Sequence, residues 1–462
     1  MTDIWRYAAI LIVSGTGLAM AQTVQHGDAK LKADAGVDFR LFLVACDNLL
    51  AFQNNQTAAT ATDPQRTAYY NYSRFRTRPW GRVSFDDRYE LFGRLANEFR
   101  FYDNNAQLYP FPNEVFIDNL YLDIRDLWND RLDVRIGRQD IRYGAGRIFR
   151  DGTPGDISRS FYYDAFKAGV RLSEKSTLDL LGIWQRPKDT WTLGSEDSDL
   201  TRYQSSADSN DLTERSLAAY YINRERSEFP YELYYVYKDE SRWFASNGAR
   251  LPERRYHTAG ARVTPRFNEH WTADVELAGQ YGTIGDSGSV SERDILSWMA
   301  YGGATYTEVN WRWKPYVTTA VLVMSGDDER FDDPNVRGTD TGWNPVFGRM
   351  IWTSDIMSAE YAFYRLSNLV YPHVEIGVAF ASDHTFNVQG GPHFAYASDN
   401  SNDDTFRGYL AVARYQFPLL RASQQRRGAI RGAIKLEVVE AGDYYSEADL
   451  AYYCRFEIHA QF

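Results

Sequence analysis

The sequence predicts an all-β fold, a transmembrane antiparallel up-and-down β-barrel of about eighteen strands with short periplasmic turns and long external loops. Three observations carry the prediction. Many segments, each long enough to cross a hydrocarbon layer when tilted, alternate apolar and polar residues with period two. The chain holds 33 Tyr, 26 Phe and 12 Trp, yet its mean hydropathy is only −0.50. Short and long polar connections alternate along it.

The N-terminus reads as a secretory signal. Arg6 gives a positive n-region, Tyr7 to Met20 an apolar stretch, and Ala19-Met20-Ala21 a small-x-small cleavage site. This sets a signal over residues 1–21 and one barrel domain over 22–462. The apolar stretch is too short for a membrane anchor, and none of the roughly 18 residues a spanning helix needs follows it. A helical membrane protein is therefore excluded. The net charge of −11 argues against nucleic acid as a partner.

The last segment is the clearest strand. Tyr452, Cys454, Phe456, Ile458, Ala460 and Phe462 share one face, and Tyr453, Arg455, Glu457, His459 and Gln461 the other. Ending on Phe resembles the closing strand of bacterial outer-membrane barrels, whose terminal aromatic is read by the barrel assembly machinery. The same alternation predicts strands near 36–46, 69–84, 89–102, 114–126, 131–142, 162–172, 177–186, 215–224, 230–240, 254–264, 270–282, 297–310, 314–325, 353–364, 372–382, 404–416, 428–440 and 450–462. Tyr69, Tyr70, Tyr72, Trp80, Trp128, Trp311 and Trp313 lie near strand ends, as interfacial girdles require, with sugar-stacking platforms as the alternative. The face of Tyr231, Leu233, Tyr235 and Tyr237 points to lipid. Cys46 and Cys454 fall on the first and last strands, neighbours in a closed barrel, so both a seam disulfide and two isolated thiols are open.

The chemistry concentrates in one stretch. From Arg74 to Arg147 there are thirteen arginines and no lysine. Arg74, Arg76, Arg78 and Arg82 share one parity of a single strand. Arg94 and Arg100 share the polar face of the next, and Arg125 and Arg135 follow on polar faces. Arg138, Arg142 and Arg147 extend the row towards a loop, and Lys167 and Arg171 continue it on a later strand. Charges facing lipid near the midplane cost about 2–4 kcal/mol each, so these rows are expected to point inward. A basic lumen lowers the barrier to anions, and guanidinium groups pair with carboxylates in bidentate fashion. The alternative is a structural network with Asp86, Asp87, Glu98, Asp118, Asp123 and Asp133.

Gly137-Arg138-Gln139, Tyr143-Gly144, Arg147, and Arg159-Ser160-Phe161 followed by Asp164-Ala165 resemble the alginate-export family of outer-membrane β-barrel porins. Arg74 to Arg78 and Tyr121-Leu122-Asp123 fit the same pattern. Two features depart from it: no tryptophan lies between Phe149 and Ser158, and Tyr162 and Tyr163 precede Asp164. The resemblance implies an eighteen-stranded barrel whose arginine-rich constriction passes an anionic uronate polymer. It singles out Arg74, Arg76, Arg125, Arg138, Arg142 and Arg147 as pore-lining residues.

Acidity gathers in the external connections. Asp327, Asp328, Asp332 and Asp333 offer hard oxygen ligands of the kind Ca²⁺ takes, without the spacing of a calcium loop, and solvated loops are the alternative. No other cofactor is implied. There is no His-Glu-x-x-His motif, nucleophile elbow or paired-cysteine site, so no enzyme is expected. Three readings follow: a passive channel for uronate-type anionic oligo- or polysaccharide, a general small-solute anion porin, and a plugged barrel with an adhesive or structural role. All place the chain among outer-membrane lipid and lipopolysaccharide.

Overall fold

The computed structural model describes residues 21–26, 29–47, 70–102, 115–150, 162–186, 191–193, 213–241, 243–244, 250–285, 292–327, 338–348, 354–356, 367–381, 383–398, 404–422, 428–444 and 450–462. Within them the wall comprises β1 (Ala29–Asp47), β2 (Tyr70–Phe85), β3 (Tyr89–Tyr102), β4 (Val115–Asp126), β5 (Leu132–Gln139), β6 (Tyr163–Ser173), β7 (Ser176–Gln185), β8 (Glu214–Asn223) and β9 (Tyr231–Glu240). It continues with β10 (Arg254–Val263), β11 (Trp271–Ile284), β12 (Arg293–Thr307), β13 (Tyr316–Met324), β14 (Leu369–Ala381), β15 (His384–Phe394), β16 (Phe406–Leu420), β17 (Ala429–Ala441) and β18 (Ala451–Gln461). Each strand pairs antiparallel with its sequence neighbours, and β1 pairs with β18 from Asp38↔Gln461 to Asp47↔Tyr452. Closure leaves no edge along the wall, which spares backbone N–H and C=O groups from facing hydrocarbon. A short strand, Ala21–His26, folds back on the start of β1.

The wall is inverted relative to a soluble protein. Leu91, Leu217, Leu277, Ile376 and Leu436 are exposed on the outside, while Arg40, Arg76, Asp118, Glu276 and Lys435 are buried inside. Period two produces both at once, because successive side chains leave a strand on opposite sides. Leu233 and Tyr235 are exposed on the outer face as expected, and Trp128, Trp311 and Trp313 are exposed at periplasmic turns. Tyr72 is not in a girdle: it is opposite Val44 and packs in the interior cluster with Phe42 and Cys46.

Two expectations about strands are corrected together. Residues 354–356 lie in no strand, and the rest of 353–364 lies outside the described residues. Instead the stretch between the strands expected at 372–382 and 404–416 contains β15. Gly390-Gly391-Pro392 reads as a turn, but a Cβ on Gly391 would meet the Pro372 carbonyl oxygen at 2.0 Å, so the glycine is where β14 approaches. Pro392 has no N–H to give, and the β14–β15 ladder is interrupted between Val370↔Phe394 and Val374↔Gly390. The exchange leaves eighteen wall strands among the described residues and reverses the direction expected for 372–382. It also makes 325–368 one long external connection.

Candidate functional site

The arginine stretch forms the inner face of β2 to β5. Register sets this: Asp38 is opposite Arg78, Arg40 opposite Arg76, and Phe42 opposite Arg74. Carboxylates sit between the guanidinium groups. Arg74 meets Glu98 at 3.3 Å, Arg76 meets Asp38 at 3.3 Å, and Arg78 lies 3.0 Å from Asp38 and 3.5 Å from Asp118. Arg94 reaches Asp118 at 2.5 Å and Asp140 at 2.9 Å. Nearer the periplasmic end, Arg82 pairs with Asp34, Arg125 with Glu90 and Asp123, Arg135 with Asp123, and Arg171 with Asp126 and Asp133. Arg100 lies on β3, and its side chain is outside the described residues.

This pairing is dense but incomplete. Arg74 Nη1 and Arg76 Nη1 are buried with no hydrogen-bond partner among the described residues. A buried charged donor without an acceptor is costly, so these two positions have capacity for an added oxygen ligand.

Arg138 departs from its expected place. It is opposite Leu120 and Asp164, on the outward parity of β5, while Gln139 beside it turns inward with Tyr163. It is pinned to Asp164 at 2.9 Å and to the Ile117 carbonyl at 2.7 Å, between the rings of Tyr162 and Trp191. Arg142 is exposed on the connection after β5. Lys167 meets Asp179 at 2.7 Å beneath the Tyr143 ring.

Arg147 stands apart from the wall that precedes it. The connection 140–150 enters the barrel and brings its guanidinium to the far wall, 2.9 Å from Asp274 and 2.7 Å from Glu276 on β11, with the Tyr301 ring at 3.5 Å. Burial alone would lower its pKa, but Glu276 and Asp274 reverse that and hold the charge more firmly than usual. The acidic wall here is also rich in tyrosine. Tyr143, Tyr220 and Tyr234 stack in series at 4.0 and 5.5 Å, and their hydroxyls donate to Asp179, Glu232 and Glu276. Burial and the Asp179 carboxylate push the Tyr143 pKa upward. The lumen thus has an arginine-rich side and a carboxylate–tyrosine side.

Several inward basic groups were not singled out from sequence. Arg40 lies over the Phe42 ring, with Arg455 near the same ring, and Lys435 and Arg455 grip Asp355 at 3.0 and 2.8 Å. Arg455 is on the polar face of the last strand, and the same parity argument reaches Lys435 on β17. Asp355 belongs to the described segment 354–356, which contacts β17 and β18, and no local pattern announces that contact.

Asp327 pairs with Arg293 at 2.7 Å, whereas Asp328, Asp332 and Asp333 lie outside the described residues. Among the described residues no group of three or more metal-ligating side chains assembles.

Comparison with known proteins agrees with this architecture. A sequence profile described as "Alginate export" matches residues 50–402. Solved structures similar in fold include OccK5 (OpdH) of Pseudomonas aeruginosa, with TM-score 0.53, 10% identity, and 93% of this chain and 98% of that one covered. OccK8 (OprE) of the same organism gives TM-score 0.52 at 11% identity, covering 94% and 98%. A BenF-like porin from Pseudomonas fluorescens Pf-5 gives TM-score 0.52 at 11% identity, covering 93% and 98%. No curated protein sequence matches the chain. By the extent of the profile match and by its eighteen-stranded closed wall, the chain belongs to the alginate-export family of outer-membrane channels, passive β-barrels that catalyse no reaction and require no cofactor.

Proposed function

We propose that the channel passes anionic, uronate-type oligo- or polysaccharide by diffusion along an arginine-lined lumen. The observation that carries this is the block of Arg40, Arg74, Arg76, Arg78 and Arg94 on adjoining inner faces. Asp38, Glu98, Asp118 and Asp140 interleave with it. Arg74 and Arg76 keep buried donors unused. A carboxylated sugar supplies oxygens to such donors, and guanidinium is the cation whose geometry matches it. The charge lowers the barrier to anions relative to cations.

The close interleaving of carboxylates favours a second reading, a small-solute anion porin without polymer preference. The third, a plugged barrel with an adhesive or structural role, predicts no conductance at all. Residues 1–21 are taken as a cleaved signal and Phe462 as the feature met by the barrel assembly machinery. Planar-bilayer recording decides among the readings. A reversal potential showing anion preference, with current blocked by uronate oligomers, is the expected result. Anion preference without block favours the small-solute porin, and cation preference overturns both.

A further inference from the structure

Two external connections meet inside the lumen, and their joint is built rather than incidental. In the first, Gly144 and Gly146 take left-handed φ values of +53° and +81°, which turn the chain so that Arg147 crosses to β11. A Cβ at Gly144 would lie 2.8 Å from a Glu232 carboxylate oxygen, and the left-handed φ there favours glycine where the turn meets the acidic wall. In the second, residues 338–348 are tied to that same side. The Val346 carbonyl accepts from Lys238 at 2.6 Å, and Asn344 exchanges two hydrogen bonds with Gln280, at 2.7 and 2.9 Å. The two connections then bond to each other. The Phe347 amide donates to the Ile148 carbonyl at 3.1 Å, Phe149 and Phe347 pair as a parallel bridge, and their rings stack at 5.3 Å.

We propose that Arg147 is the pin of an internal latch that sets the aperture of the channel, and that solute carboxylates release it by exchange. The reading needs the chain to conduct but does not need its solute to be a polymer. In the latched state one guanidinium satisfies Asp274 and Glu276 together. A uronate carboxylate offers the same guanidinium an equivalent pair of oxygens, so a carboxylated solute competes for the pin where a neutral sugar does not. The Tyr234 hydroxyl on Glu276 and the Arg262 guanidinium on Asp274 keep those two carboxylates supported when Arg147 leaves. The Phe149–Phe347 bridge makes the two connections move as one body.

The test uses the full chain in planar bilayers. Arg147→Ala is expected to raise the ratio of high- to low-conductance dwell time by at least about tenfold, the lower end of the coupling measured for close charge pairs. Galacturonate oligomers should raise that ratio in the wild type and not in Arg147→Ala, and neutral maltooligosaccharides should raise it in neither. Phe149→Cys with Phe347→Cys, in a chain carrying Cys46→Ala and Cys454→Ala, should hold the low level after thiol oxidation and release it on reduction. The cross-link keeps Arg147 in place, so it decides the matter even if Arg147→Ala does not assemble. Dwell times unchanged by both Arg147→Ala and the oxidised pair overturn the latch. Reversal potentials from the same bilayers test anion selectivity separately, so an anion-preferring channel without gating change defeats this inference alone.

Discussion

Cys46 on β1 is directly opposite Tyr453 on β18, and Cys454 is directly opposite Ala45, so the two thiols sit one residue out of step across the closing seam. Cys46 is buried inside and Cys454 looks outward, and no disulfide joins them. A single residue of register decides this, because it carries a side chain from one face of the wall to the other. The seam therefore closes without a covalent link. Protein unfolded without reductant should titrate two thiols per chain and migrate identically on reducing and non-reducing gels. Recovery of no free thiol would contradict the register.

Arg138 should behave as a structural residue. Its bonds to Asp164 and the Ile117 carbonyl lie on the outward parity, between two rings. Arg138→Ala is expected to lower stability by about 1.5–3 kcal/mol, the range for hydrogen bonds to charged groups. Reversal potential should stay unchanged. Denaturant unfolding beside bilayer recording separates the two effects, and a shifted selectivity with unchanged stability would return Arg138 to the lumen.

Asp355 ties residues 354–356 to β17 and β18. Burial alone would raise its pKa, but Arg455 and Lys435 overcome that and hold the carboxyl at about 2, below its ordinary 3.8. A depressed carboxylate stabilises the fold fully above the unfolded pKa and loses that contribution as pH falls through the folded one. Anchoring should accordingly persist down to the ordinary carboxylate range and fade only below it, towards pH about 2. Asp355→Asn leaves Lys435 and Arg455 with less counter-charge, and should cost up to about 3–5 kcal/mol. Labelling of Ser354→Cys by a maleimide should quicken in that variant. Labelling as slow as in the parent would show that the ion pairs do not hold the segment.

The outer face can be tested at one mid-strand position. Leu277 is 57% exposed on β11 beside the inward Glu276. Leu277→Arg should cost about 2–4 kcal/mol in a bilayer if the site lies near the midplane. The same change in a water-facing site would be close to neutral, so folding yield into vesicles against Leu277→Ala gives a direct reading.

Much of the wall was legible in the sequence because a strand's alternation is local. Lys435 and Glu437, or Arg74 and Arg76, declare their face within five residues. Backbone punctuation is less legible. Gly390-Gly391-Pro392 has a turn's composition yet serves a close strand approach, and Gly137, at φ +125°, precedes Arg138 on the outward parity. The lumen contents were less legible for a different reason. Arg147 meets Glu276 across 129 positions of chain, and no periodicity in either neighbourhood encodes that encounter.

The strand Ala21–His26 has a consequence for assembly. It covers β1 from Ala29 to Asp34, and β18 takes only the stretch from Asp38 to Asp47. Before the last hairpin arrives, the first strand is thus already shielded over its lower third by its own neighbour. An incoming foreign strand finds a shortened template there, so the nascent sheet is guarded against joining another copy while it waits to become a cylinder.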